Sequence, residues 1–190
     1  MVVVGNDFDE SLIRYKKSPR FHYFEENSQG ELVLKRVDYR VSLGTKMVRS
    51  SALGRYLTAN LNLFKAWRNL TYPLHRENFV GNTLADTPPG RVQGSEQAVD
   101  TFLKMLPEMS GLDPSRILFV VDGIRPELYE EKALESTRGS YFDLMRRYFM
   151  TKAQAQGFEV IDMQPVFIEH YKKQGQRFEF QTNFHWNVLA

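Results

Sequence analysis

The sequence predicts an α/β protein with a mostly parallel sheet, and two observations support this prediction. Short apolar, β-branched segments alternate with longer amphipathic segments in the order strand, helix, strand, helix, strand. Ile117–Val121 is a continuous apolar run closed by Asp122 and Gly123, which is typical of a parallel strand covered on both faces. Because right-handed crossovers join successive parallel strands, we expect a three-layer α/β/α sandwich.

Two further strands are predicted on either side of this run. Val2–Val4 is β-branched and leads into Gly5-Asn6-Asp7, which predicts a buried strand followed by a turn. Phe158–Ile161 predicts the last strand, and Asp162 ends it. The aspartates that end strands could line a cleft, although turn formation and helix capping are their more common roles.

Two helices are expected to connect these strands, because apolar residues recur at helical spacing. Ser95 is expected to cap the first helix, which Pro107 and Gly111 end. Tyr141–Phe149 has the apolar spacing of the second helix, and Gly157 lies where a C-cap glycine belongs.

An inserted β-hairpin is predicted near the start of the chain. Phe21–Phe24 forms its first arm, Asn27–Gly30 its turn, and the alternating segment Glu31–Val37 its second arm. An amphipathic helix capped by Ser50 or Ser51 follows, and a long loop extends from Asn69 to Gly94. We therefore expect one incomplete domain over residues 1–190, with an insertion at about 15–94.

The composition excludes several classes of protein. A chain of 190 residues with 42% hydrophobic residues can bury one full core. The 25 basic and 23 acidic residues are scattered, so we expect no nucleic-acid partner. No apolar run approaches the roughly 20 residues needed to span a bilayer, and no export signal is present, which leaves the localisation open.

Cofactors are not expected from the sequence. The absence of cysteine excludes disulfides, thiolate zinc sites and a cysteine nucleophile. His22, His75 and His170 have no partner at metal-ligand spacing, so we expect no metal site. No Gly-x-Gly-x-x-Gly or phosphate-binding loop occurs, and a nucleotide cofactor is therefore unsupported.

His185 and Asn6 are the residues best suited to chemistry. His185 follows a strand-like segment and stands between two aromatic residues, so it could act as a general base or be a packed histidine. Asn6 follows the first strand, where a side-chain amide could donate to a developing oxyanion or form an Asn-Asp turn. The two residues come from opposite ends of the chain and are separated by βαβ units.

Taken together, the Gly5-Asn6-Asp7 and His185-Trp186-Asn187 blocks resemble the third and last blocks of the SGNH (GDSL-type) hydrolases. The resemblance implies a flavodoxin-like sandwich in which a serine attacks an ester and forms an acyl-enzyme. It further implies that His185 is the base and that Asn6 is an oxyanion donor.

The sequence departs from this family in two respects. The family's acidic residue precedes the histidine by two or three positions, where this chain has Asn183 and Thr182. The family's Gly-Asp-Ser block on the first strand is absent, and capping explains Ser95 and Ser140 better than nucleophilic attack does. Because the first predicted strand begins directly after Met1, we expect residues of the fold, including the nucleophile, to lie upstream.

The sequence-based expectation is a serine ester hydrolase that acts on a carbohydrate O-acetyl ester or a short-chain ester, with this chain alone showing little turnover. Two alternatives remain: a degenerate, non-catalytic domain that binds a glycan or a protein, and a polysaccharide O-acyltransferase. A missing first strand would also leave a sheet edge exposed, where a homodimer could form.

Overall fold

The computed structural model describes residues 1–5, 7–38, 43–53, 56, 88–124, 127–180 and 186–189. The chain divides into two compact units. The larger unit contains Met1–Lys17, His22–Lys35 and Val80–Ala190, and the smaller contains Ser18–Phe21 and Arg36–Phe79.

The described chain contains both strands and helices. The strands are β1 (Val2–Val3), β2 (His22–Glu26), β3 (Leu32–Arg36), β4 (Leu118–Val121) and β5 (Glu159–Asp162). The helices are α1 (Asp7–Glu10), α2 (Leu43–Ser50), α3 (Pro89–Ser110), α4 (Glu131–Ser136), α5 (Tyr141–Ala155) and α6 (Met163–Gln174). Short 3₁₀ helices cover Pro114–Arg116 and Glu127–Tyr129.

A small parallel sheet forms the centre of the larger unit. Its order is β1-β4-β5, and both strand pairs are parallel. Val3 lies opposite Val121, which in turn lies opposite Asp162. All three strands therefore end at the same edge, and the expected α/β class with a parallel sheet is confirmed.

The main core lies where α3 and α5 pack against each other and against this sheet. Phe119 and Val121 of β4 are fully buried there. The ring of Phe119 meets Phe149 of α5 edge to face, with 5.0 Å between centroids, and contacts Phe158 at 5.2 Å. Such edge-to-face aromatic pairs add stabilisation beyond the area they bury.

A second apolar cluster surrounds Phe167 of α6. Its other buried members are Leu128, Tyr129 and Phe178, and the ring of Trp186 packs edge to face on Phe167 at 5.8 Å. This cluster holds Phe178 and Trp186 against α6.

The first connecting helix differs from its prediction. The helix α3 begins at Pro89, so Ser95 is an interior residue and not its cap, and the expected loop ends before position 94. Proline suits the first turn of a helix because its φ angle is preset and its missing N–H would have no partner there. Pro107 lies inside the last turn, and Gly111 caps the helix at φ 67° as expected.

The second connecting helix and the hairpin are confirmed. The Ser140 hydroxyl caps α5 by accepting a hydrogen bond from the Asp143 amide, and Gly157 adopts φ 85° just beyond its end. In the hairpin, the Asn27 side chain accepts hydrogen bonds from the amides of Gln29 and Glu31, both at 2.9 Å. Within the larger unit, Phe24 of the hairpin forms a parallel bridge with Leu12.

The described part of the smaller unit contains the helix α2, which the sequence did not predict. Most of the amphipathic helix expected after Ser51 lies outside the described residues, although positions 52, 53 and 56 are helical. Within the described ranges of both units, no helix has the length and apolar character to span a membrane.

Candidate functional site

The three candidate residues Asn6, Asn183 and His185 lie outside the residues that the structure describes. Their immediate neighbours are described, however, and these neighbours come from two distant parts of the sequence. Gly5 and Asp7 on one side and Trp186 on the other delimit the candidate site.

The turn after β1 is held by Asp7. Its carboxylate accepts a hydrogen bond from the Val4 amide at 2.9 Å, while the Asp7 amide donates to the Val4 carbonyl at 3.0 Å. This reciprocal pair turns the chain from β1 into α1. Asp7 thus has a turn-forming role.

Asp7 also lies in an electrostatically unfavourable position. Loss of hydration raises the pKa of its carboxyl above the ordinary 3.8, and the negative charges of Glu10 and Asp122 raise that pKa further. The Val4 hydrogen bond and Lys16 oppose this shift only in part. Asp122 follows the neighbouring strand, whose last residue, Val121, lies opposite Val3.

Asp122 is the buried carboxylate at the end of β4, with 4% of its surface exposed. Its Oδ1 accepts hydrogen bonds from the Gly123 amide at 2.9 Å and from the indole Nε1 of Trp186 at 3.1 Å. Its own amide donates to the Val3 carbonyl of β1. One residue therefore links both strand ends to the residue that follows His185.

The segment before Trp186 is also attached to the core. The Tyr129 hydroxyl donates to Glu179 Oε2 at 2.6 Å and accepts from the Phe178 amide at 3.1 Å. Glu179 forms an antiparallel bridge with Trp186. The Glu179 side chain is only 2% exposed, so its carboxylate depends on this tyrosine for hydrogen bonding.

Asn187 hydrogen-bonds to the backbone of residues 177–179, which precede it in the same segment. Its side-chain amide donates to the carbonyls of Arg177 at 2.8 Å and Glu179 at 3.2 Å. Its backbone amide donates to the Phe178 carbonyl at 2.7 Å. These bonds fix the residues on both sides of position 185 relative to each other.

A surface cavity of about 650 Å³ opens beside the same segment. Two aromatic residues, Tyr171 and Phe180, line it together with the polar Arg177 and Asn187. Phe180 is half exposed. An exposed ring beside hydrogen-bonding groups suits a ligand with apolar faces and hydroxyl groups.

The serines that follow glycines have structural roles. Ser95 is fully buried, and its hydroxyl hydrogen-bonds the Tyr141 hydroxyl at 2.6 Å. Ser140 is 7% exposed and caps α5. A nucleophile must reach its substrate, and neither of these side chains is placed to do so.

The third strand end is occupied by an ion pair. Asp162 caps α6 by accepting from the Gln164 amide at 2.9 Å, as expected of a strand-end aspartate, and its carboxylate also pairs with Arg146. Arg146 is 5% exposed. In the described ranges, no cluster of three or more His, Cys, Asp or Glu side chains could hold a metal ion.

Sequence reasoning noted Asp122 only as a strand-end aspartate, and it did not identify Tyr129 or Glu179. The signal for Asp122 was its position directly after the most apolar strand of the chain. Nothing in the local sequence marks the Tyr129–Glu179 pair, because these residues lie 50 positions apart.

Comparisons with family models, curated proteins and solved structures found no match to this chain.

Proposed function

We propose that this chain is the C-terminal major part of an SGNH-type serine ester hydrolase. The observation that carries the proposal is the meeting of two distant blocks. Gly5 and Asp7 flank Asn6 at the end of β1, and Trp186, next to His185, bonds Asp122 at the end of β4. These strands are direct parallel neighbours, and sites of open α/β sheets lie outside the carboxyl ends of their strands.

In this proposal His185 takes the proton of a serine hydroxyl as that oxygen attacks the ester carbonyl, and returns it to the leaving alcohol. The Asn6 amide donates to the oxyanion that forms. The serine belongs to a segment outside these 190 residues, as the resemblance to the SGNH family implies. The three-layer, flavodoxin-like sandwich is part of the same proposal.

A carbohydrate O-acetyl ester or a short-chain ester is the proposed substrate. The aromatic and polar lining of the cavity beside Phe180 and Asn187 supports the carbohydrate. A homodimer through the edge of β1 is proposed as well, since β1 ends the strand order among the residues that the structure describes. Sedimentation at several concentrations tests the dimer, and a monomer throughout would contradict it.

The test of function begins with the coding DNA upstream of Met1, where an in-frame Gly-Asp-Ser segment is expected. The longer chain should hydrolyse 4-nitrophenyl acetate and release acetate from acetylated xylan.

Replacing the proposed base, in His185→Ala, should lower kcat/KM of the longer chain by about a thousandfold or more. The matched control is His22→Ala, since His22 is exposed on the hairpin. Equal activity of both variants would refute the proposal.

Asn183 favours a second candidate, a non-catalytic domain that binds a glycan. An amide cannot stabilise an imidazolium as a carboxylate does, and the corresponding change in serine proteases costs about ten-thousand-fold in rate. Asn183→Asp in the longer chain should raise esterase activity if the hydrolase proposal holds. A flat response together with glycan binding would favour the binding domain, while transfer of acetyl to an oligosaccharide would identify an O-acyltransferase.

A further inference from the structure

We propose that two adjoining cavities along α3 form a binding site for an unbranched acyl chain. Both cavities are lined by residues of the larger unit. Binding at this site does not require ester hydrolysis, so it is tested separately from the proposed function.

The first cavity lies beside β1 and has a volume of about 270 Å³. Its lining includes four side chains of the main core that are no more than 5% exposed: Val3, Phe8, Val99 and Phe149. Asp7 and Ser11 are the polar members of the lining. Water finds few hydrogen-bonding partners in a space with such walls, whereas an apolar molecule is favoured there.

The second cavity lies between the hairpin and α3 and has a volume of about 330 Å³. Its α3 wall consists of Phe102, Met105, Leu106 and Met109. This spacing of i, i+3, i+4 and i+7 is typical of one apolar face of a helix. Met109 is 65% exposed and Leu34 of the hairpin wall is 38% exposed, so the cavity opens to solvent beside them. Methionine side chains adapt to the shape of a ligand, which suits such an opening.

The two cavities together are elongated. They share the lining residues Ser11, Phe24 and Phe102 and are therefore neighbours. Their lining on α3 extends from Ala98 to Met109, which corresponds to about 16 Å of helix. Each volume alone is near the lower limit of about 300 Å³ for ligand sites, and the joined space lies well within the usual range. An elongated apolar space fits an unbranched hydrocarbon chain better than a compact ring.

The charge of Asp7 decides which end of the chain enters. Asp7 lines the first cavity, where its negative charge would repel a carboxylate of the ligand. We therefore expect the hydrocarbon end of a fatty acid in the first cavity and its carboxylate in solvent beside Met109.

The experiment is an NMR titration of the chain of 190 residues with sodium decanoate. We expect saturable shifts of the methyl signals of Met105 and Met109, while those of Met150 and Met163, which line neither cavity, stay unchanged. Intermolecular NOEs should connect the terminal methyl of decanoate to Val99. Shifts that do not saturate, or that affect all four methionines equally, would overturn the proposal.

Ala98→Leu tests the first cavity. Ala98 is 2% exposed and lines this cavity, so a leucine there should occupy the space of the chain. We expect the Kd for decanoate to rise about tenfold or more. The matched control is Ala155→Leu, which adds the same side chain at the exposed end of α5 and should leave the Kd unchanged. Equal Kd values for the two variants would contradict binding in this cavity.

Two substitutions at the solvent opening keep the site testable if Ala98→Leu does not fold. Met109→Lys should lower the Kd for decanoate and Met109→Glu should raise it, because the ligand's carboxylate is expected beside this position. Since Met109 is 65% exposed, neither substitution should disturb the core. Equal Kd values, or the reverse order, would overturn the proposal.

Decanoate is a probe both for a free fatty acid and for an acyl chain of a membrane lipid. We expect the free acid, because the second cavity has walls on two elements, the hairpin and α3, and is not a flat apolar surface. The protein should therefore stay in the supernatant when phosphatidylcholine vesicles are sedimented. Co-sedimentation that decanoate prevents would overturn the free acid and identify the membrane lipid as the source of the chain.

Discussion

The hydroxyl of Ser95 lies 2.6 Å from the hydroxyl of Tyr141, and both side chains are fully buried. The bond joins α3 to α5 within the main core. The Arg91 guanidinium lies over the Tyr141 ring, 4.0 Å from its centre, and pairs with the carboxylate of Asp9 at 2.6 Å. A polar network thus connects α1, α3 and α5 beside the apolar core.

The Ser95–Tyr141 bond should contribute to stability and not to activity. Ser95→Ala leaves a buried tyrosine hydroxyl without this partner, which should lower the free energy of unfolding by about 1–3 kcal/mol. Tyr141→Phe should have a similar cost, because it leaves the buried serine hydroxyl without this partner. Urea denaturation of each variant measures the loss.

The double variant is the control for that prediction. Removing both hydroxyls leaves no unpaired group, so Ser95→Ala with Tyr141→Phe should be no less stable than the worse single variant. The coupling energy should then be about 1 kcal/mol or more. Additive losses would show that the two hydroxyls do not depend on each other.

Gly123 is required by close packing after β4. A Cβ atom at this position would lie 2.8 Å from Leu128 Cδ2 and 3.2 Å from Gln164 Cα. Because the second contact is with backbone, Gly123→Ala should destabilise the protein by about 1–3 kcal/mol. The matched control is Gly90→Ala at the start of α3, where nothing lies within 4 Å of the added atom. It should be neutral or stabilising by up to about 1 kcal/mol, and thermal unfolding compares the two.

The sequence predicted the elements whose signals are local, and failed where the signal depends on distant partners. The strand Leu118–Val121, the hairpin turn at Asn27 and the cap at Ser140 follow from short patterns that tertiary contacts do not override. The start of α3 at Pro89 was missed because a Pro-Pro-Gly segment is also typical of a turn. Local sequence alone could not choose between these structures.

For the candidate site, the sequence located both strand ends but not what joins them. Asp122 was recognised only as a residue ending a strand, since its bond to Trp186 spans 64 positions. Ser95 was expected to be a cap, because the tyrosine that buries its hydroxyl lies 46 residues away. Long-range polar pairs of this kind leave no periodic trace in a sequence.

Asp7 should make stability depend on pH. Its folded-state pKa is raised above 3.8, mainly by lost hydration, so the folded protein binds the Asp7 proton more tightly than the unfolded chain does. Stability from this group is therefore fully present below pH 3.8 and is lost as pH rises through the folded-state pKa. Asn at position 7 can still accept the Val4 hydrogen bond, so Asp7→Asn should stabilise the protein at pH 7.

The gain from Asp7→Asn should be about 0.5 kcal/mol, since partial exposure screens the charge. It should disappear at about pH 3, where Asp7 is protonated in both states. Asp113→Asn is the control, because Asp113 is exposed and its side chain makes no capping bond. Urea denaturation at the two pH values checks both variants, and a gain that persists at low pH would contradict the electrostatic explanation.

The Tyr129–Glu179 bond should hold the segment that leads to His185. Tyr129→Phe would leave the buried Glu179 carboxylate without its hydroxyl donor, and the Phe178 amide without its acceptor. A buried charge that loses its hydrogen bond costs more than a neutral group does, so we expect a loss of about 3 kcal/mol. Tyr148→Phe removes a similar bond to Asp100, whose side chain is 48% exposed, and should cost less than about 1 kcal/mol.

Hydrogen exchange adds a local measurement. The Phe178 amide should exchange faster in Tyr129→Phe, because this variant removes its acceptor. Its exchange rate should stay unchanged in Tyr148→Phe, which leaves the acceptor in place. Equal effects of the two variants on stability and exchange would show that burial of Glu179 does not govern this segment.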